Sequence, residues 1–310
     1  MQETIENNPI HNNDIDINDA IKVILKKKIL ILSITSLISI ISLICSLFIP
    51  DIYSSKSLLA SIDKQESLSS SLSSFSGLSA IAGVSLPSET NSKTVEAIAR
   101  IKSLDFFTEY FLPNIKLEDL MAVSNWSSED NLLIYDKTIF DATSKKWIRN
   151  VNYPKKNIPS QQEAYKVYGD ILSIFKDKET SFISISIDHK SPYIAKEWLE
   201  IILENINKKM RAEDIKAASQ SVSFLNNKLE TTNVNEIREV LIKLMGSEMQ
   251  KLMLATSTDN YVFKILDFPY VPEEKSSPNR LLILVFGLLL GMVISFITVF
   301  LFYSREKNIS

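Results

Sequence analysis

Side-chain catalysis needs a nucleophile beside a base, a pair of carboxylates, or a cluster of metal ligands. Four acids, Glu197, Glu200, Glu204 and Asp214, fall within one helical pattern, where two on a common face would have the makings of acid–base chemistry. They interleave with Lys196, Lys208, Lys209 and Lys216, which is the pattern of a solvated or partner-facing helix. No GxSxG nucleophile turn occurs. The single cysteine, Cys45, lies inside an apolar run, and the two histidines, His11 and His189, fall on opposite sides of it, so neither a disulfide framework nor a His/Cys metal site can be built. The expectation is no catalytic, cofactor-binding or metal-binding residue: a scaffold, not an enzyme.

Other residues have chemistry of contact. Trp147 sits in a small basic cluster, Lys145, Lys146 and Arg149, where a ring can stack on a sugar or pack at an edge. Gly287 and Gly291 are four apart in an apolar helix and share a face that lets another helix approach closely; the partner is the first span, a neighbouring subunit or another membrane protein. Pro269, Pro272 and Pro278 fix an extended shoulder ahead of that helix, because each removes a donor and restricts its predecessor. Arg280 follows, at the level of phosphate headgroups. These six are the expected membrane-packing and interaction residues.

Two apolar runs must position them. Residues 281–303 and 29–49 carry no charge and are each long enough to cross a hydrocarbon core of about 30 Å as a helix. The first run reads as a retained anchor, since Phe48-Ile49-Pro50-Asp51 replaces a small-x-small cleavage site. Lys22, Lys26, Lys27 and Lys28 precede it, and Arg305 and Lys307 follow the second, so both termini are expected in the cytoplasm. Residues 1–28 are then a cytoplasmic segment, 50–280 a periplasmic α/β domain and 304–310 a cytoplasmic tail too short for a folded domain. With 34 basic and 37 acidic residues the net charge is −3, which offers no field for nucleic acid.

Along the chain, Ile15, Ile17, Ala20, Ile21, Ile24 and Leu25 recur at helical intervals after acidic Asp14 and Asp16. Residues 52–62 read as a strand, and 67–88, rich in serine with Gly77, Gly83 and Pro87, as a mobile surface loop. Residues 94–111 form a helix with Val95, Ile98, Ile101, Leu104 and Phe107 on one face; 132–135 and 139–140 are short strands. Residues 161–175 are helical, with Ala164, Val167, Tyr168, Ile171 and Leu172 inward, and 180–187 alternate strictly as a strand. Ser191 is a good N-cap with Pro192 at the first helical position. From there Ala195, Trp198, Ile202, Ile206 and Met210, then after a five-residue step Ile215, Ala218, Val222, Leu225 and Leu229, predict one helix over about 192–230. Asn233 and Glu236 resemble a capping box for a returning helix over about 234–256, with Ile237, Val240, Leu241, Leu244, Met245 and Leu252 as its apolar face. Residues 261–268 are a last strand, placed to pair with the first. The fold class is an α+β membrane protein, two transmembrane helices flanking a periplasmic α/β base with a long projecting helical hairpin.

These residues carry a resemblance over nearly the whole chain to the Wzz-type chain-length determinants, the polysaccharide co-polymerases of the bacterial inner membrane. DIDINDAIKVILKKK is similar to that family's start, PDIYSSKSLLA to its first strand, SGLSAIAGVSL to its Ser/Gly-rich loop and AIARIKSLDFF to the next helix. FISISIDHKSPYIAKEWLEIILENIN resembles its strand and the base of its long helix, and PYVPEEKSSPNRLLILVFGLLLG its proline shoulder and second span. The resemblance implies control of how many repeat units are polymerised onto a surface polysaccharide such as lipopolysaccharide O-antigen. It also implies a ring-like homo-oligomer, with the repeat-unit polymerase, the growing lipid-linked polysaccharide and the membrane as partners and no cofactor. Kinase-bearing relatives have a GxxxxGK[ST] phosphate loop, which does not occur here. An export adaptor working with a transporter or separate kinase, and a two-span periplasmic sensor, are the alternative readings.

Overall fold

The computed structural model describes residues 27–62, 90–257 and 260–309. The amphipathic start at 14–28 lies almost wholly outside the described residues, and the Ser-rich stretch at 67–88 entirely so. In chain order the elements are α1 (Lys28–Phe48), β1 (Tyr53–Ser61), α2 (Thr90–Ile101), α3 (Leu104–Phe106), a π turn (Phe107–Phe111), a 3₁₀ turn (Leu112–Asn114) and α4 (Leu117–Met121). Then come β2 (Val123–Ser127), β3 (Leu132–Tyr135), β4 (Phe140–Asp141), β5 (Lys146–Trp147), α5 (Gln161–Ile171), β6 (Leu172–Lys176) and β7 (Ile183–His189). The chain finishes with α6 (Pro192–Thr231), α7 (Asn235–Ser257), β8 (Phe263–Asp267) and α8 (Arg280–Ile309). It divides into two units, residues 1–50 with 277–310, and residues 51–276.

The first unit is built on α1 and α8, and both helices are apolar and long enough to span a membrane: Lys28–Phe48 with 21 residues and Arg280–Leu301 with 22. α8 continues without a break through the charged residues after the apolar run to Ile309.

In the second unit four antiparallel strands form a sheet in the order β6-β7-β1-β8. The first and last strands of this unit therefore lie side by side, Leu59 opposite Ile265 and Ser61 opposite Phe263. Alternation in β7 buries Ile183, Ile185, Ile187 and His189 on one face. α6 lies across β1 and β7 and closes that face with Trp198, Leu199, Ile202, Leu203 and Ile206. α6 has 40 residues, about 60 Å at 1.5 Å per residue, so it outruns the sheet. Over its outer half the buried residues are Ala218 and Leu225, beside the antiparallel return of α7.

Several local expectations are corrected. Residues 94–111 are not one helix: Ser103 leaves the helix, and its Oγ accepts the Phe106 N–H at 3.1 Å to start α3, which widens into the π turn. The wider turn brings Phe107 and Phe111 together against Tyr168, while Val95 and Leu104, expected inward, are exposed. The helix from 161 stops at Ile171, because Leu172 and Ile174 take up β pairing with Ile187 and Ile185. Ser191 holds the N-cap position without a side-chain cap bond; its own N–H is taken by His189 Nδ1 at 2.9 Å. At the hairpin turn α7 begins at Asn235, and Arg238 Nη1 donates to the carbonyl of Leu229 at 2.9 Å, tying the two helices at the place where a capping box was expected. The apolar face of α7 is divided: Leu241, Met245 and Leu252 are partly buried, whereas Ile237, Val240 and Leu244 are exposed.

Candidate functional site

The six residues singled out from sequence fall into two groups. Gly287 and Gly291 are buried in the seam between α8 and α1. A Cβ on Gly287 would stand 2.5 Å from Cβ and Oγ of Ser42; one on Gly291 would stand 3.2 Å from the backbone of Thr35 and 3.3 Å from Ile38 Cβ. The first is impossible without movement, and the second presses on backbone that has little room to retreat. Ser42 Oγ donates to the carbonyl of Ile283 at 3.1 Å, the kind of hydroxyl-to-backbone link that joins helices in lipid. The stripe continues one turn at a time through buried Ser295 and Val299. Of the three partners open for the glycine face, the one present in the chain itself is α1. Arg280 is the first residue of α8, and the Ser277–Pro278 peptide bond ahead of it is cis.

Pro269 and Pro272, both buried, belong to the second unit, on the segment that runs back along β1 after β8. Hydroxyls of β1 bond carbonyls of the returning chain: Ser57 Oγ donates to Asp267 O at 2.6 Å and Ser55 Oγ to Tyr270 O at 2.8 Å. Further on, Ser276 N donates to Ile52 O at 2.8 Å, and Lys275 pairs with Asp51 at 3.1 Å. Both ends of this unit therefore lie together. Tyr53, at that end, has its ring edge-to-face with Trp126 at 5.6 Å, and Trp126 is 6.2 Å from Tyr193.

Sequence reasoning missed a cluster of polar contacts where α6 leaves the sheet. The sequence pattern puts Lys209 and Asp214 on a solvated or partner-facing helix. Instead the Lys209 side chain is 5% exposed, with Nζ 2.6 Å from Asp105 Oδ2 and 4.5 Å from the Tyr110 ring centre. Asp214 holds Lys93 Nζ at 2.5 Å and accepts the Tyr261 hydroxyl. Burial works against the charge on Lys93, but its bond and attraction to Asp214 outweigh that and hold its pKa above the usual lysine range. Burial and the Asp214 bond likewise raise the Tyr261 pKa. Arg100 bridges Glu96 and Glu213, each at 2.7 Å. Asn207, buried, receives the backbone N–H groups of the chain arriving at β8. The signal was present: Lys209 is three residues beyond Ile206 on the apolar stripe, and Asp214 fills the five-residue gap between Met210 and Ile215. The other helix pairs, Lys196–Glu200 and Lys208–Glu204, are i,i+4 contacts on the exposed side, as read.

At the other end of α6, His189 is enclosed between Trp198, 4.8 Å away, and the backbone of Asp119. Because Ser191 N–H donates to Nδ1, the proton sits on Nε2 and points to Asp119 O at 3.1 Å. Burial is the main reason its pKa lies below the ordinary imidazole value. Trp147 packs on Phe140 with centroids 5.1 Å apart, and Arg149 is drawn to Glu163 at 2.5 Å and to the carbonyl of Asn157. Trp147 and Arg149 are thus tied inward, while Lys145 and Lys146 stay exposed. Among the described residues, no group of three or more His, Cys, Asp or Glu side chains is placed to hold a metal ion.

Comparison with solved structures finds a "full-length bacterial polysaccharide co-polymerase" at 12% identity, covering 94% of this chain and 99% of that one with a TM-score of 0.41. A "Fragment of WzzB, Polysaccharide Co-polymerase from Salmonella Typhimurium" aligns at 14% identity over 74% of this chain and 100% of that one, TM-score 0.31. The curated proteins give no match. From ahead of α1 to the end of the π turn, residues 13–111, the chain matches the family model of Wzz, described as "Chain length determinant protein".

Proposed function

We propose that this chain is a non-enzymatic regulator of surface polysaccharide chain length. The observation that carries the reading is the family match over residues 13–111. Two further features support it. A span-length apolar helix precedes the sheet unit in the chain and another follows it, as an integral membrane scaffold requires. The hairpin of α6 and α7 exposes the apolar side chains Phe224, Val240 and Leu244, which are open to contact between copies. In this reading both termini are cytoplasmic, residues 51–276 face the periplasm, and copies assemble into a ring-like homo-oligomer in the inner membrane. The ring holds the repeat-unit polymerase, or its lipid-linked glycan, for a limited number of additions. Lipopolysaccharide O-antigen is the polysaccharide the proposal names.

The test is the length ladder of surface polysaccharide, run on gels from cells with and without the protein. Loss of a modal cluster of lengths, restored by the intact chain, is the expected result. Disappearance of the polysaccharide altogether points to export, and an unchanged ladder overturns the proposal.

A further inference from the structure

Tyr53, Trp126 and Tyr193 come from three separate elements and meet at the end of the sheet where the chain enters and leaves. They are not core residues: Tyr193 is 50% exposed, and Tyr53 and Trp126 are only partly buried. The polar edge of Trp126 is occupied, since Nε1–H donates to Asn131 Oδ1 at 2.9 Å, so the part of the ring left exposed is apolar. Tyr270, on the returning segment, is exposed, and its carbonyl accepts the Ser55 hydroxyl.

Covalent reach bounds how far this end can be from the apolar helices. Tyr53 follows Phe48, the last residue of α1, by only a handful of positions, at most about 18 Å of extended chain. Ser276, bonded to Ile52, precedes Arg280, the first residue of α8, at most about 14 Å away. Both chain connections to the membrane-length helices leave the sheet unit from this end, at Asp51 and Ser276. Amphipathic rings with an apolar body and a wet rim favour the headgroup layer. We propose that Tyr53, Trp126 and Tyr193 form an aromatic anchor that seats this end of the sheet unit in the lipid headgroup layer. Asp51 is already paired with Lys275, and Glu273 and Glu274 stand in the same shoulder, so the rings and not a basic patch make the attachment. Zwitterionic lipid therefore suffices. The proposal rests on α1 and α8 crossing a bilayer, and on no claim about polysaccharide.

The test uses the full chain and Trp126→Phe in phosphatidylcholine vesicles whose acyl chains are brominated close to the headgroup. Retention in the vesicles through an alkaline wash checks the spans separately. Tryptophan emission of the full chain is quenched, and most of the quenched part disappears in Trp126→Phe. Absence of quenching, or equal quenching in both chains, overturns the anchor. A shift of Trp126 emission by added soluble polysaccharide without bromolipid quenching overturns it too, and assigns the rings to glycan. Should Trp126→Phe lose its circular dichroism, a spin label at Tyr193→Cys on a Cys45→Ser background decides. Faster collision with oxygen than with a water-soluble nickel chelate supports the anchor, and the reverse order overturns it.

Discussion

The side-chain oxygen of Asn207 accepts the backbone N–H of Val262 at 3.0 Å, joining the long helix to the start of the last strand where the helix leaves the sheet. The N–H groups of Tyr261 and Phe263 lie 3.3 and 3.4 Å from the same oxygen, and Asn207 Nδ2 donates to Leu203 O. One buried amide thus receives the chain returning from the hairpin. Replacing it by leucine strands at least one buried N–H, at about 1–3 kcal/mol. Thermal unfolding of detergent-solubilised Asn207→Leu should show that loss, and stability equal to the parent chain contradicts it.

Lys209 and Asp105 form a pair in which only the lysine is buried. Removing the buried charge itself is mild, since methionine fills the same channel beside Tyr110. Removing its carboxylate leaves an ammonium without its nearest partner. Asp105→Asn is expected to destabilise by about 1–2 kcal/mol and Lys209→Met by less than about 1 kcal/mol. Denaturant midpoints of the two variants give the order, and the reverse order refutes it.

The glycines separate by their surroundings. Gly246, in α7, has open space where a Cβ would stand, so Gly246→Ala should stabilise by about 0.5–1 kcal/mol through helix propensity. Gly287→Leu and Gly291→Leu meet Ser42 and Thr35 and should spread α1 from α8. The double leucine variant is expected to stay in the membrane, melt earlier in detergent, and shift the modal glycan length. A ladder unchanged with both glycines replaced removes the seam from the length-setting mechanism.

Acid should act through His189. Its pKa in the fold is depressed, so the unfolded chain binds the proton more readily. The stability it contributes is complete above the ordinary value of 6.5 and is lost as pH falls through 6.5 towards the lower folded value. Protonation at Nδ1 also ejects the Ser191 N–H at the start of α6. In melting curves taken between neutral and mildly acidic pH, the parent chain should lose stability in that window. His189→Asn, which keeps an acceptor near Nδ1 without titrating, should lose less. Equal pH dependence in both refutes the assignment.

Periodicity carries local structure, and it was legible. Strict alternation around Ile183, Ile185 and Ile187 marks β7, and Trp198, Ile202 and Ile206 mark α6, because each element shows one face to a common core. Uncharged runs mark α1 and α8 for the same reason of length against hydrocarbon thickness. The pattern failed where one period passes into another without a breaker: Leu172 continues the helical count of α5 yet pairs with Ile187.

Which partner each face meets was decided only in three dimensions. Nothing adjacent to Lys209 indicates that Asp105, over a hundred positions away, will neutralise it, nor that Asn207 will meet the amides at Val262. A polar side chain is readable as buried only once its donors and acceptors arrive from elsewhere, since burial without them is unfavourable by several kcal/mol. Gly287 and Gly291 likewise declare a close approach from their spacing, whereas Ser42 and Thr35 as the approaching surface are a matter of how two helices far apart in sequence come to lie together. Sequence alone determined the elements and their apolar faces, through short-range periodicity. Tertiary structure decided the pairings, because those depend on contacts that no local period encodes.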